Sequence, residues 1–221
     1  MTMITDESAA PGPQIPQSTA TAGAARVSRL LIFLMAAGAA TSVANVYYAQ
    51  PLLDVLATEF SISQATVGGV VTATQVGSAL ALLFVVPLGD LINRKSLACI
   101  ELGLLAAVLT MVAFAPGPLA LLAGMVGLGL LGTAVTQGMI AYAATLSAPS
   151  ERGRVVGLVQ SGVLVGVLGS RSLAGLVADL AGWRAVFVVS ALLALGTLVL
   201  FSRVIPQLAV TRSTMRYRQL L

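Results

Sequence analysis

Few residues of this 221-residue chain could do chemistry, and the sharpest is an arginine inside an apolar run. Arg171 lies 16 residues beyond Val155, where that run begins. At ~1.5 Å per residue this is ~24 Å along a helix, deep toward one face of a bilayer. A charge in hydrocarbon costs at least ~2.5–3.5 kcal/mol and marks a candidate functional site. Gln160, Leu164, Val167 and Arg171 recur at helical spacing and share one face, which would present Gln160 and Arg171 to a cavity. The plainer reading is a structural arginine that snorkels outward or pairs with Asp54 or Asp179. Both readings stand on the sequence.

Other polar groups fall into similar stripes. Thr41, Asn45 and Tyr48 share a face of the first apolar segment, the second carries Gln75 and Ser78, and the fourth carries Thr133 and Gln137. Each could line a solute path. Each could equally make an interhelical hydrogen bond, worth ~0.6–2 kcal/mol in a membrane. Glu101 sits about one turn into the third segment. Pairing with a nearby arginine is the expectation for it, and a protonatable carrier is the alternative. Asp90 and Arg94, four apart, can pair locally.

Several chemistries are excluded or disfavoured. The chain has no histidine and one cysteine, Cys99, so His-based metal, haem and Ser-His or Cys-His sites are absent. The only lysine, Lys95, lies at a segment boundary, which disfavours a buried Ser-Lys pair and with it that kind of intramembrane enzyme. Gly127-Leu128-Gly129-Leu130-Leu131-Gly132 matches a dinucleotide-binding pattern, but inside an apolar helix with no preceding strand. Close helix packing explains it better. The reading is therefore not an enzyme, with no cofactor and no metal.

The elements that must position these residues are six apolar segments, roughly Leu30–Ala49, Val67–Leu88, Leu97–Ala115, Leu119–Leu146, Val155–Ala178 and Ala185–Phe201. About 20 apolar residues of helix cross a ~30 Å core. The chain is 57% hydrophobic and 9% charged, with mean hydropathy +0.97. An integral membrane protein follows. Continuous runs indicate helices, which satisfy their own backbone, whereas a barrel would alternate over ~10-residue segments. The fold class is an all-α membrane protein of six transmembrane helices.

Charge gives the orientation. Arg26, Arg29, Arg94, Lys95, Arg152, Arg154, Arg203, Arg212, Arg216 and Arg218 fall at alternate boundaries, leaving only Arg184 on the other side. The positive-inside rule places both termini in the cytoplasm. It also accounts for a pI of 9.8 without any nucleic-acid partner. Residues 1–27 read as a disordered cytoplasmic tail, 28–201 as the membrane domain and 202–221 as a basic linker or tail. Leu52–Thr66, Pro116-Gly117-Pro118 and Asp179–Arg184 read as outer loops and turns. Asp90-Leu91 followed by Arg94, and Asp179-Leu180 followed by Arg184, each close the middle helix of a triplet. The two triplets thus read as inverted repeats, a feature of secondary transporters.

Four stretches then carry a family resemblance. They are Asn45–Leu53 (NVYYAQPLL), Pro87–Lys95 (PLGDLINRK), Pro149–Gly157 (PSERGRVVG) and Gly175–Phe187 (GLVADLAGWRAVF). Together they resemble the major facilitator superfamily, particularly its bacterial drug/proton antiporter branch, over about residues 28–205. The chain departs from that pattern at Leu91, where a basic residue is usual, and at Asn93, where glycine is usual. It has Gly124 near the place of a helix-four arginine, and Gly169-Ser170 where Gly-Pro is usual. Some of these changes touch residues associated with proton coupling; none touches the expected fold.

The resemblance implies half of a major facilitator fold, with helices one and four lining the substrate path. That makes Asn45, Tyr48, Gln75, Gln137, Gln160 and Arg171 the cavity candidates. Asp90, Arg94, Lys95, Arg152 and Arg154 become gate residues, and Asp54, Glu101 and Asp179 become possible proton or ion-pair groups. The implied function is secondary active transport, proton-coupled efflux of a small molecule across the bacterial inner membrane. Six helices are half of what the family carries. The expectation is a truncated N-terminal half that lacks a C-terminal partner; the alternative is a half-size transporter working as two copies. A non-transporting six-helix scaffold is the reading from another class.

Overall fold

The computed structural model describes residues 28–204, apart from the side chains of Gln64 and Asp90. The readings of residues 1–27 and 205–221 lie outside the described residues. Within them, six helical units are long and apolar enough to cross a membrane. The protein is an all-α, multi-pass membrane protein.

The first unit is longer than its apolar run implied. Helix α1 (Arg29–Tyr47) starts at Ser28, whose hydroxyl accepts the Leu31 amide at 3.2 Å. Pro51 has no N–H to donate, and the chain tightens into a 3-10 turn over Gln50–Leu52 before α2 (Leu53–Glu59). Leu52–Thr66 is therefore not a loop through most of its length. Most of it is helix, and the connection narrows to Phe60–Ser63, where Ser61 takes a left-handed φ of 51°.

Helix α3 (Gln64–Leu80) loses its regular winding near the next proline. The backbone widens over Ala81–Val85 and tightens over Val86–Asp90. Pro87 cannot bond the carbonyl of Leu83 and its ring crowds that carbonyl, so the α-pattern cannot continue. Asn93 then caps α4 (Arg94–Ala113), its Oδ1 accepting the Lys95 and Ser96 amides at 2.9 and 3.3 Å. The asparagine that departs from the resembling pattern thus serves as a helix start.

Helix α5 (Pro118–Leu146) follows the Pro116-Gly117-Pro118 turn, and α6 (Arg152–Ala181) and α7 (Trp183–Val204) complete the bundle. The expected turn at Asp179–Arg184 contracts to Gly182 alone, whose φ of 83° suits a residue without Cβ. The membrane helix also runs three residues beyond the expected boundary at Phe201, to Val204.

The packing has the symmetry of two exchanged triplets. Helix α1 packs chiefly on α6, α3 on α5, and α4 on α7. Swapping the first triplet (α1, α3, α4) with the second (α5, α6, α7) turns the α1/α6 pair into α5/α3 and returns α4/α7 to itself. Both related pairs use the same device. Gly162 and Gly166 on α6 let the helix sit on the carbonyls of Ala36 and Ala40, while Gly77 on α3 and Gly129 on α5 face the backbone at Val126 and Thr74. Without a hydrophobic drive between helices in lipid, such close approach supplies much of the attraction. It also accounts for the dinucleotide-like glycine string, since Gly129 is one of its members. At the α3/α5 contact, Thr133 Oγ1 donates to Ser78 Oγ at 2.9 Å and Ser78 bonds the Gly129 carbonyl at 3.3 Å.

The core lies between α4 and α5. Leu102, Leu105, Leu109 and Val112 on one helix meet Leu121, Met125, Leu128, Val135 and Met139 on the other, all buried. Helix α5 also touches α1, α3 and α6, so it is the centre of the domain.

Candidate functional site

Arg171 is exposed on α6, and its guanidinium donates to Gln50 Oε1 at 2.7 Å. The partner is thus an amide at the 3-10 turn after α1, where the sequence had pointed to Asp54 or Asp179. One hydrogen bond to an amide oxygen uses one of the five N–H donors of the guanidinium. Asp54 and Asp179 are both exposed.

The polar stripe of α1 turns the other way. Asn45 is buried, its Nδ2 donating to the Thr41 carbonyl at 2.9 Å while Oδ1 has no partner. Thr41, Asn45 and Tyr48 line a crevice against Leu105 of α4 and Ser190, Leu193 and Ala194 of α7, with no room for a solute. Gln75 and Gln160 lie on exposed faces of α3 and α6. Gln137, by contrast, lines a space large enough for small molecules such as water. The six candidates therefore do not meet in one cavity within this half.

That space, about 140 Å³, lies between α4, α5 and the irregular segment after α3. Val85, Val86, Gly89, Arg94, Leu97, Glu101, Gln137 and Gly138 are on its walls. Glu101 is 4% exposed, and its Oε2 has no hydrogen-bond partner. It reaches toward the bare backbone of Gly138, where an added Cβ would stand 3.6 Å from that oxygen. The expected pairing with a nearby arginine is not formed: no ion pair involving Glu101 is present among the described residues.

At the same end, Arg152 Nε donates to the Ala144 carbonyl at 3.1 Å and closes the last turn of α5. Arg154 and Arg29 stand with Glu151 around a cleft between α1 and α6, floored by Ile32, Phe33, Val155 and Leu158. Arg94 begins α4 beside Lys95, both half-buried. Asp90 belongs to the preceding turn, with its side chain outside the described ones.

One feature was not foreseen. Arg184 pairs with Glu59 at 2.7 Å and lies 4.4 Å over the Trp183 ring, and Phe60 packs on that ring at 5.9 Å. The cluster ties the end of α2 to the start of α7. Glu59 and Arg184 are 125 residues apart, so no local spacing could announce the pair. Among the described residues no three His, Cys, Asp or Glu side chains gather as a metal site.

Residues 31–216 match the family model of the Major Facilitator Superfamily. The chain belongs to that superfamily. Within it, the chain is 44% identical over 198 residues to the uncharacterized transporter YgaY of Escherichia coli, a match that takes in 88% of this chain and 49% of that protein. It is 34% identical over 178 residues to a probable transporter of Streptomyces coelicolor, 80% of this chain and 41% of that one. It is 29% identical over 188 residues to the inner membrane transport protein YnfM of Escherichia coli, 84% and 44% respectively. The chain thus spans about half the length of the curated relatives it matches. A major facilitator protein, it is not an enzyme.

Proposed function

We propose that this chain is the N-terminal half of a secondary transporter in the bacterial inner membrane, with both its termini cytoplasmic. With a second six-helix half it exports a small molecule in exchange for protons. The observation that carries the reading is the exposed arc of α6. Gln160, Ser161, Arg171 and Ser172 lie there among Leu164, Val165 and Leu168, all within one side of the helix. A face bearing an arginine and a glutamine is costly against lipid tails. Cover by a second half, or by a water-filled path between halves, relieves that cost. The names and lengths of the relatives support the same reading. The alternating Arg and Lys boundaries support the orientation.

In this arrangement the two halves rock about a midplane site. Arg171 and Gln160 would border the path from this half, and Gln137 with Glu101 would lie below it. Arg94, Lys95, Arg152 and Arg154 would brace the cytoplasmic gate.

Two measurements test the proposal. Coding DNA beyond Leu221 that specifies six more apolar segments supports it, and a stop codon there favours a pair of identical copies. In everted vesicles carrying the whole transporter and a pH-sensitive dye, some member of a compound library should collapse an imposed proton gradient. Flux of that compound indifferent to the gradient would overturn proton exchange.

A further inference from the structure

We propose that Glu101 is the carboxyl that binds the coupling proton, and that the adjoining cavity is its route to the cytoplasm. The proposal rests on the proton-exchange reading above and assigns it a residue.

The geometry is that of a proton site more than of a structural carboxylate. Glu101 is seven residues into α4, or ~10 Å from the helix start that the basic boundary residues mark as cytoplasmic. It is 4% exposed, and Oε2 is without a partner. A carboxylate buried unpaired is costly by several kcal/mol, whereas a buried carboxyl holding a proton is tolerated far better. A structural carboxylate in such a place would be held by a cation or by amide donors, as Glu59 is held by Arg184. Glu101 instead has a space of about 140 Å³ beside it, bordered by the Gln137 amide, Gly89 and Arg94. The space has room for several waters, which can carry a proton between the carboxyl and the cytoplasmic end.

The charges facing the site are few. On its own helix Arg94 lines the cavity with Glu101. From α5 come Gln137 and Gly138, with Tyr142 buried against Phe201 of α7. The segment after α3 gives Val85, Val86 and Gly89; Asp90 follows, with its side chain outside the described ones. The charges of α7, Arg184 and Arg203, lie in its first and last turns. The cycle then needs one O–H bond: Glu101 gains a proton in one conformation and gives it to cavity water in the other.

The test uses the whole transporter in native membranes. Dicyclohexylcarbodiimide reacts with protonated carboxyls in apolar surroundings, and peptide mass spectrometry locates the adduct. We expect an adduct at Glu101 whose yield falls at least tenfold from acid to alkaline pH, with none at exposed Asp54 or Asp179. An unlabelled Glu101, or a yield indifferent to pH, overturns the assignment. Glu101→Gln should lose at least tenfold of the accumulation driven by a proton gradient, yet keep counterflow of the screened compound within about twofold. Glu101→Asp should retain driven accumulation. Gradient-driven accumulation unchanged in Glu101→Gln overturns the assignment alone. Wild-type flux indifferent to the gradient overturns proton exchange and the assignment together. If Glu101→Gln loses both transport modes through misfolding, the labelling of the wild-type protein decides.

Discussion

Replacing Gly162 by alanine tests how the domain holds together. A Cβ built at Gly162 stands 2.5 Å from the Ala36 oxygen and 2.9 Å from the Ala36 carbonyl carbon and Cβ. Ordinary Cβ contacts begin at 3.4 Å. The obstacle is backbone, so no side chain can swing aside, and α1 and α6 must part by about 1 Å. A gap of that size forfeits a quarter to a half of the dispersion energy across a contact. For a patch comparable to one buried leucine, ~40–60 atom pairs at ~0.1–0.2 kcal/mol each, the loss is ~1–6 kcal/mol. Overpacked cores commonly lose ~1–3 kcal/mol, so we expect about 2–3 kcal/mol here. Gly166, four residues on, meets the Ala40 carbonyl in the same way. One separation relieves both clashes. The double alanine variant should therefore be less destabilised than the sum of the singles, by more than ~0.5 kcal/mol. Gly157→Ala and Gly175→Ala serve as controls, because nothing lies within 4 Å of their added Cβ. They should be neutral or stabilising by up to ~1 kcal/mol through helix propensity. Equilibrium unfolding in mixed micelles, followed by the fluorescence of Trp183, the sole tryptophan, reads all five variants. Gly162→Ala as stable as the controls, or a strictly additive double variant, would refute the close-packing argument.

Asn93→Ala should destabilise α4 by about 1 kcal/mol and Asn93→Gly by only a few tenths, as measured in the same unfolding assay, because glycine caps nearly as well as asparagine. Ser78→Ala removes the link between Thr133 and the Gly129 carbonyl and should cost ~0.6–2 kcal/mol, less if Thr133 finds a carbonyl of its own helix. Arg184→Ala should lower stability by no more than ~1–2 kcal/mol and shift Trp183 emission. The Arg184 and Glu59 side chains are 44% and 39% exposed, so the ion-pair part should fade at high salt, leaving the contact over the ring. Arg171→Leu should abolish transport while membrane insertion, followed by protease protection, stays intact. Full transport in that variant would make Arg171 structural.

The family relationship was legible early because its carriers are local: motif stretches at helix ends, and apolar runs of membrane-crossing length. Element boundaries were less so. The first apolar run stops near Ala49, yet the helical unit continues to Glu59, because α2 buries Leu56 and Ala57 against the bundle and apolar count alone cannot report that burial. The widened turn before Pro87 was likewise hidden, since a proline states that the pattern breaks but not how the preceding turns absorb it. For the candidate site, the residues could be named from the sequence but their neighbours could not. Arg171 meets Gln50, 121 residues away, and Glu101 meets no cation although arginines lie nearby in sequence.

By itself, then, the sequence determined six apolar helical units, the all-α membrane class and the kinds of residue available for chemistry. Those follow from the free energy of moving side chains and backbone into hydrocarbon, a property each segment carries alone. Only the tertiary structure decided which polar groups face one another. It turned Asn45 and Tyr48 into a closed crevice, left Arg171 on an open face, and set Glu101 beside a cavity. Helix rotation and approach fix those outcomes, and they are governed by where glycines let two backbones touch, a relation between segments that no single segment contains.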